Sequence, residues 1–251
     1  ATVDALKLSP TENVLDIGCG AGATTLLLGK RVSSGKVLGV DISAPLLTRA
    51  KERAASAPNV SFALGDAQVF EFESASMDAV FSRFGVMFFS DPVLAFANIR
   101  TALRPNGRLG FVCWREMKKN PSFFLPLEAA LPHLPEPPVA SPPGAPGPFA
   151  FADEGRLRTV LEHAGYTEIA IEPYDTELVF AGTTDIERAV NLALQIGPLG
   201  RALTGVSETA RRDIRQDVRT AFAKHYGPRG VVLPAATWIV TASSRTAHEP
   251  E

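Results

Sequence analysis

Between Asn13 and Trp114, five short β-rich runs alternate with segments of helical periodicity, and this alternation restricts the fold more than any other feature of the chain. Strands joined by helical connections predict βαβ units and a parallel sheet. The strands are expected at 13–17, 36–40 (closed by Asp41), 60–64, 78–82 and 108–114. A first connecting helix is predicted over 23–32. A second is opened by Ser43 as N-cap, with Leu47, Ala50 and Ala54 at helical spacing. Asp91-Pro92 reads as a cap followed by a first-turn proline. The helix it opens carries Phe96, Ile99 and Leu103 on one face and ends before the turn Arg104-Pro105-Asn106-Gly107.

After Trp114 the character changes. Ten of the 20 prolines lie between Pro121 and Pro148, so this stretch is read as an extended excursion with one short helix, 121–131. Loops of that length are usually functional or mobile. Order returns with Asp153 as the cap of a helix over 154–164, closed by Gly165. Strands are predicted at 167–172 and 176–180, helices at 185–196 and 207–226, and a final strand at 235–242. The second of those helices has Ile214, Val218, Ala221 and Phe222 on one stripe and Arg211, Arg215 and Arg219 on another. With Glu208, Asp213 and Asp217 interspersed, the arginine stripe reads as a solvated, ion-paired face.

Composition excludes several classes. The chain has 25 basic against 27 acidic residues, net −2, which gives no electrostatic footprint for nucleic acid or anionic lipid. No apolar run approaches the ~20 residues of a membrane span, and residues 1–13 lack a basic start and an apolar core. A cytoplasmic protein without membrane insertion or nucleic-acid partner is expected. Two cysteines, Cys19 and Cys113, cannot build a disulfide framework. No pair among the four histidines has metal-ligand spacing, so no metal is expected.

The sharpest local signal is Val14-Leu15-Asp16-Ile17-Gly18-Cys19-Gly20-Ala21-Gly22. An apolar strand delivers the chain to a glycine-rich turn at the carboxyl edge of the sheet, where ligands of open parallel sheets bind. The spacing Gly18-x-Gly20-x-x-Ala23 would also suit a dinucleotide. Asp16 argues against that: a carboxylate beside a pyrophosphate adds unfavourable charge, whereas it suits an ammonium and a sulfonium.

Leu15 to Gly22 resembles the first motif of the class I S-adenosylmethionine-dependent methyltransferases, and the resemblance continues in order. Asp41 matches the acidic residue that binds both ribose hydroxyls. Gly65-Asp66-Ala67 matches the motif contacting adenine. Asp78-Ala79-Val80 and Leu103-Arg104-Pro105-Asn106-Gly107-Arg108-Leu109 match the fourth-strand motif and the turn into strand five. Taken singly, Asp16, Asp41 and Asp66 would read as loop or cap aspartates; together they fall at the ends of neighbouring strands.

The resemblance implies a Rossmann-like α/β fold: a mostly parallel seven-stranded sheet with an antiparallel last strand, helices on both faces and a helical cap insertion. On that basis residues 1–115 are expected to bind the cofactor and 116–152 to cover the substrate. Residues 153–183 and 231–251 would complete the core, and 184–230 would form the cap. The implied cofactor is S-adenosyl-L-methionine, with S-adenosyl-L-homocysteine as product. The implied contacts are Asp16, Gly18, Cys19 and Gly20 in the first motif, then Asp41, Ile42 and Leu46, then Asp66, Ala67 and Gln68, and Arg83. Cys19 is expected to pack rather than attack, since no histidine lies near it in sequence.

Within the family the pattern is similar to the ubiquinone/menaquinone-biosynthesis (UbiE-like) branch. That branch typically leaves strand four through Asn-Phe-Gly and a polar pair; here Arg83 precedes Phe84-Gly85 and Val86-Met87 follows. Phenols, polyketides, lipids and amines therefore stand beside quinone precursors as acceptors. The family also carries helices before the first strand, of which about 12 residues are present here; either the amino end continues or the lid comes from elsewhere.

Methyl transfer from a sulfonium is an in-line displacement, and positioning alone can lower its barrier by about 7–11 kcal/mol. A base would add roughly 10²–10⁴-fold for a hydroxyl acceptor, and His133, in the proline-rich excursion, is the candidate. Ten of 15 phenylalanines fall between Phe81 and Phe151. Phe81 and Phe96 have core phase, whereas the run from Arg83 to Phe89 follows a strand at the binding edge. Phe84, Met87, Phe88 and Phe124 are therefore expected to bind a small apolar or aromatic acceptor, methylated at O, N or C. Two other readings remain: a non-catalytic S-adenosylmethionine-binding scaffold, and an NAD(P)-dependent oxidoreductase, disfavoured by Asp16 and by the lack of a Tyr-x-x-x-Lys pair.

Overall fold

The computed structural model describes residues 2–136, 138–139 and 142–244. Positions 137, 140 and 141 of the proline-rich stretch and the end of the expected core remainder, 245–251, lie outside the described residues. The amino-terminal half holds β1 (Val14–Ile17), β2 (Val37–Asp41), β3 (Val60–Leu64), β4 (Met77–Arg83) and β5 (Leu103–Trp114). Between and before them lie α1 (Thr2–Ala5), α2 (Ala23–Arg31), α3 (Ala44–Arg53) and α4 (Pro92–Thr101). Beyond β5 come α5 (Pro121–Ala130), α6 (Glu154–His163), β6 (Thr167–Val179), α7 (Ile186–Ala193), α8 (Gly197–Ala202), α9 (Glu208–Ala223), β7 (Tyr226–Gly227) and β8 (Gly230–Ser243).

The sheet runs β3-β2-β1-β4-β5-β8-β6, with β7 paired to β8 beside this path. β1 lies between β2 and β4, all parallel, and β5 continues the parallel order beyond β4. The bonds Ser244 N–H to Gly107 O and Arg115 N–H to Ala236 O pair opposite ends of β5 and β8, so β8 returns antiparallel. The sheet is thus a mostly parallel, open α/β sheet. Its register sets the binding edge: Asp16 stands opposite Gly39, and Asp41 opposite Leu64. Asp16 thus lies one residue before the end of β1, Asp41 ends β2, and Asp66 follows β3 after one more residue.

The chain clusters into two compact units. The first comprises Ala1–Cys113, Pro146–Pro173 and Trp238–Glu251; the second, Trp114–Ala145 and Tyr174–Thr237. The boundary divides the proline-rich excursion, which the sequence treats as one segment. Its front half, with α5, belongs with α7, α8 and α9. Its back half, from Pro146, belongs with β1 to β4.

In the first unit, Phe96 on α4 packs against Phe89, Phe111, Phe151 and Tyr166, ring centroids 5.5 to 6.3 Å apart. Phe111 and Phe151 are thus core residues alongside Phe81 and Phe96. A second apolar group (Leu6, Val14, Leu28, Val32, Val37, Ala79) seals the other side. In the second unit, Val190, Leu199, Ile214, Val218 and Phe222 form a separate core. Asn120 is fully buried there and ties α5 to β8: its amide donates to Ala236 O at 3.0 Å and accepts from Ala236 N at 2.9 Å.

Several local expectations change. Ser43 occupies the N-cap of α3 but its side chain makes no cap bond; its N–H donates instead to Asp41 Oδ1. The expected pair of strands at 167–172 and 176–180 is one continuous strand, β6, through Pro173. The final strand starts at Gly230 rather than 235. A further short helix, α8, opened by Gly197-Pro198, lies between the helices expected at 185–196 and 207–226. The arginine stripe of α9 is paired, but not along the helix. Arg215 and Arg219 converge on Glu187 of α7, and Arg211 donates to the carbonyls of Leu203 and Val206.

Candidate functional site

A cavity of about 360 Å³ opens at the carboxyl edge of β1, β2, β3 and β4. Its floor is a backbone-to-backbone approach. Ile17 and Gly18 leave β1 as Gly85 leaves β4, and a Cβ built on Gly18 (φ +67°) would sit 2.7 Å from Gly85 Cα. Ser82, fully buried on β4, fastens this contact: its hydroxyl donates to Ile17 O at 2.8 Å and accepts from Gly85 N at 3.2 Å. A Cβ on Gly20 would meet nothing within 4 Å, so the loop is open on the side where a ligand would approach.

Asp41 closes the second side. Its Oδ2 accepts from Gly20 N and its Oδ1 from Ser43 N, both at 2.8 Å. Each carboxylate oxygen keeps a further lone pair, and the residue lines the cavity. Two amides on opposite sides thus fix the plane of the carboxylate before any ligand arrives. Ile42 and Leu46 extend this wall as exposed apolar side chains, 73% and 43% accessible. At the third side, Asp66 Oδ1 accepts from Gln68 N at 2.9 Å, and the Gln68 side-chain amide lies against both oxygens at 3.1 and 3.2 Å. Ala67 is buried there and Gln68 also lines the cavity. The fourth side comes from β4 and the segment after it: Arg83, Phe84, Gly85, Phe88 and Phe89.

Gly18, Gly20, Asp41, Ile42, Leu46, Asp66, Ala67, Gln68, Arg83, Phe84 and Phe88 therefore meet around one cavity. Asp16 does not line it. It is 1% exposed under the loop and accepts a 2.8 Å bond from Thr25 Oγ1 on α2. Cys19 is also buried rather than lining, and burial pushes its thiol up to about 12, which keeps it protonated and unreactive. Met87 points into the core at 1% exposure, with its carbonyl accepting from Gly147 N. Phe124 and His133 belong to the second unit and do not line the cavity. His133 Nε2 lies 2.8 Å from an Asp217 carboxylate oxygen. Sequence reasoning passes over Thr25 and Ser82; nothing in their spacing marks them, since each acts by capping a group on another element.

Burial also sets the charge of Asp16. Removal from water raises its pKa from 3.8 to about 7, against the opposing pull of the Thr25 hydroxyl and the Arg83 guanidinium; Asp41 adds to the rise. The folded form then holds a proton that the unfolded chain has released. Stability is highest below the unfolded value and falls as pH rises from 3.8 towards about 7, by up to about 1.4 kcal/mol per pH unit from this group. Asp16→Asn is expected to flatten that decline, read as urea midpoints at several pH values across the interval. A slope equal to wild type would place the titrating proton elsewhere.

A wider cleft lies at the opposite end of the strands, and Arg108, which lines it, is already engaged. Arg108 binds Glu12 through two nitrogens and donates to the carbonyls of Leu6 and Lys7.

A family model described as a methyltransferase domain matches residues 14–107, the stretch that supplies every wall of the cavity. The motif order and this match make residues 14–107 similar to S-adenosylmethionine-dependent methyltransferase domains, and the sheet is the mostly parallel, open α/β sheet of that fold. The chain is similar to the demethylmenaquinone methyltransferase of Staphylococcus aureus, 39% identical over 94 residues. That match covers 37% of this chain and 39% of the relative. An arsenite methyltransferase of Halobacterium salinarum is 27% identical over 214 residues, covering 84% of this chain and 49% of that one. The chain spans less than half the length of the curated relatives it matches. A phosphoethanolamine N-methyltransferase of Haemonchus contortus, solved with S-adenosyl-L-methionine, shares the fold at TM-score 0.58 and 19% identity. That likeness covers 98% of this chain and 51% of that chain. Among the described residues no helix is long and apolar enough to cross a membrane.

Proposed function

We propose that the chain is a methyltransferase that binds S-adenosyl-L-methionine in the β1–β4 cavity and methylates a small apolar or aromatic acceptor. The observation that carries this reading is Asp41: a carboxylate locked by two backbone amides, lining a cavity whose floor is bare glycine backbone. The residues present fit the group. Asp41 has a free lone pair on each oxygen for a pair of vicinal hydroxyls. Asp66 offers an acceptor across the cavity, suited to an exocyclic amine. Gly18 and Gly20 leave room for an extended chain to lie against the loop, and Ile42 and Leu46 supply apolar faces for a base.

The bound cofactor supplies a methyl group already activated on a sulfonium. What this chain contributes is orientation: the Gly18–Gly85 contact and Asp41 fix the nucleoside, while Phe84, Phe88 and Phe89 form an apolar wall for the acceptor. Phe88 is 56% exposed beside this cavity, more than a core aromatic would be, which supports an apolar or aromatic acceptor. Asp16 places a buried carboxyl one residue from the floor, where a cation in the cavity favours its ionised form. His133 is not retained as a base, because its Nε2 is engaged with Asp217 and it does not line the cavity. Proximity and orientation suffice for this chemistry.

Titration calorimetry with S-adenosylhomocysteine tests the cofactor assignment, and a panel of phenols, quinols and amines, followed by release of that product, tests the acceptor. Binding with turnover on an apolar aromatic is expected. Absence of heat with both forms of the cofactor overturns the reading.

A further inference from the structure

Gln68 has a bonding pattern that a simple cavity-lining residue does not need. Its Nε2 lies 3.1 and 3.2 Å from the two oxygens of Asp66. Its Oε1 accepts from Ser90 N and Ser90 Oγ at 2.8 Å each, and from Asp91 N at 3.3 Å. The direction of the amide is therefore determined, since a flip would set its NH₂ against three donors and its oxygen against a carboxylate. Asp91 is the residue that caps α4, and Ser90 directly follows the Phe88–Phe89 wall. The loop carrying Asp66 is held to α4 a second time by Asn98, whose amide donates to the carbonyls of Ala67 and Phe70 at 3.0 Å.

Asp66 itself is exposed at the start of a turn, and unlike Asp41 it accepts from one backbone amide among the described residues. An exposed carboxylate with a free χ2 torsion samples many orientations, and only a few present a lone pair to the cavity. Gln68 removes that freedom from outside, anchored to backbone donors that the start of α4 must satisfy in any case.

We propose that Gln68 is a positioning residue: its side-chain amide aims the Asp66 carboxylate at the nucleobase and ties that aim to the segment bearing Phe88 and Phe89. Base selectivity then belongs to the Gln68–Asp66 pair rather than to Asp66 alone. A 6-amino purine donates to the aimed carboxylate, whereas a 6-oxo purine sets a carbonyl against it. This rests on the cofactor reading above, and the test separates the two.

The measurement is calorimetric affinity of the full chain for S-adenosylhomocysteine and for its 6-oxo analogue, S-inosylhomocysteine, in wild type, Gln68→Ala and Gln68→Glu. Wild type is expected to prefer the amino form by at least about tenfold, the lower range for one hydrogen bond to a charged acceptor. Gln68→Ala should lower that preference severalfold, with a smaller effect on whatever the ribose and the amino-acid tail contribute. Gln68→Glu keeps an acceptor for Ser90 and Asp91 but sets a carboxylate against Asp66, so α4 stays capped while the aim is lost. It should lower the preference at least as far as alanine does. A preference unchanged in the folded glutamate variant overturns the role of Gln68 and leaves the cofactor reading standing. Wild type that binds neither nucleoside overturns that reading, and this one with it.

Discussion

Asp41→Ala is expected to weaken S-adenosylhomocysteine binding by at least about a hundredfold, with a matching loss in kcat/KM. Two ribose hydroxyls donating to a carboxylate contribute ~1.5–3 kcal/mol each. The variant loses more than those two bonds. The amides of Gly20 and Ser43 lose their acceptor as well, so the glycine loop is no longer held in the conformation that admits the ligand. Asp41→Asn is informative beside it. An asparagine has one acceptor where the two amides need two, and its NH₂ would oppose an N–H; it should therefore resemble alanine rather than wild type. Because Asp41 is only partly buried, water can replace the lost partners in the free protein, and the thermal midpoint should move much less than the affinity. A change below about threefold in affinity for Asp41→Ala, under 1 kcal/mol, removes the ribose assignment.

Gly85→Ala should damage the cavity floor directly. The added carbon would lie 2.6 Å from Ile17 O and 2.9 Å from Gly18 Cα, both backbone atoms that cannot rotate aside. Only Ser82 Oγ, at 3.0 Å, could move, and it would surrender its bond to Ile17 O in doing so. The two strand exits must separate, which costs roughly 1–3 kcal/mol of stability as overpacking and displaces the cavity floor. Binding should fall at least about tenfold, the effect of misplacing a contact worth ~1.4 kcal/mol. Gly20→Ala is the control. It has the unfavourable positive φ but no atom to strike, so its stability cost comes from backbone conformation alone, about 1–2 kcal/mol. If Gly85→Ala binds with wild-type affinity, the close approach is not what fixes the floor.

Much of the first unit is legible in the sequence because its signals are local. The five apolar runs are bounded by turn residues, and Asp91-Pro92 caps α4 through the bond from Leu94 N that its spacing predicts. Prolines mislead elsewhere. Pro173 splits an apparent strand, yet β6 is the last strand of the sheet, where an edge position tolerates a missing donor. Pro234 has the same effect on β8; it lies beyond the stretch paired with β5, whose bond to Ala236 is made by Arg115. Pro198 sits in the first turn of α8, a position where proline is at home.

The site is legible where residue type carries the chemistry and illegible where packing decides. Glycines and aspartates at strand ends announce themselves by spacing. That Asp16 sits beneath the loop and not in it depends on Thr25, nine residues on and one helix away. Met87 and Phe88 are neighbours in a run that the sequence treats as uniform, yet a single 3₁₀ turn sends one inward at 1% exposure and leaves the other at 56%. The charged face of α9 is recognisable, but its partner Glu187 lies on another helix and has no sequence signature.

Every wall of the cavity comes from one uninterrupted stretch, Ile17 to Phe89, whereas the second unit is stitched from two separated segments. The residues that line the cavity are thus contiguous in the chain. Substitutions beyond residue 113 leave every lining residue unchanged, and the family match, which stops at residue 107, spans them all.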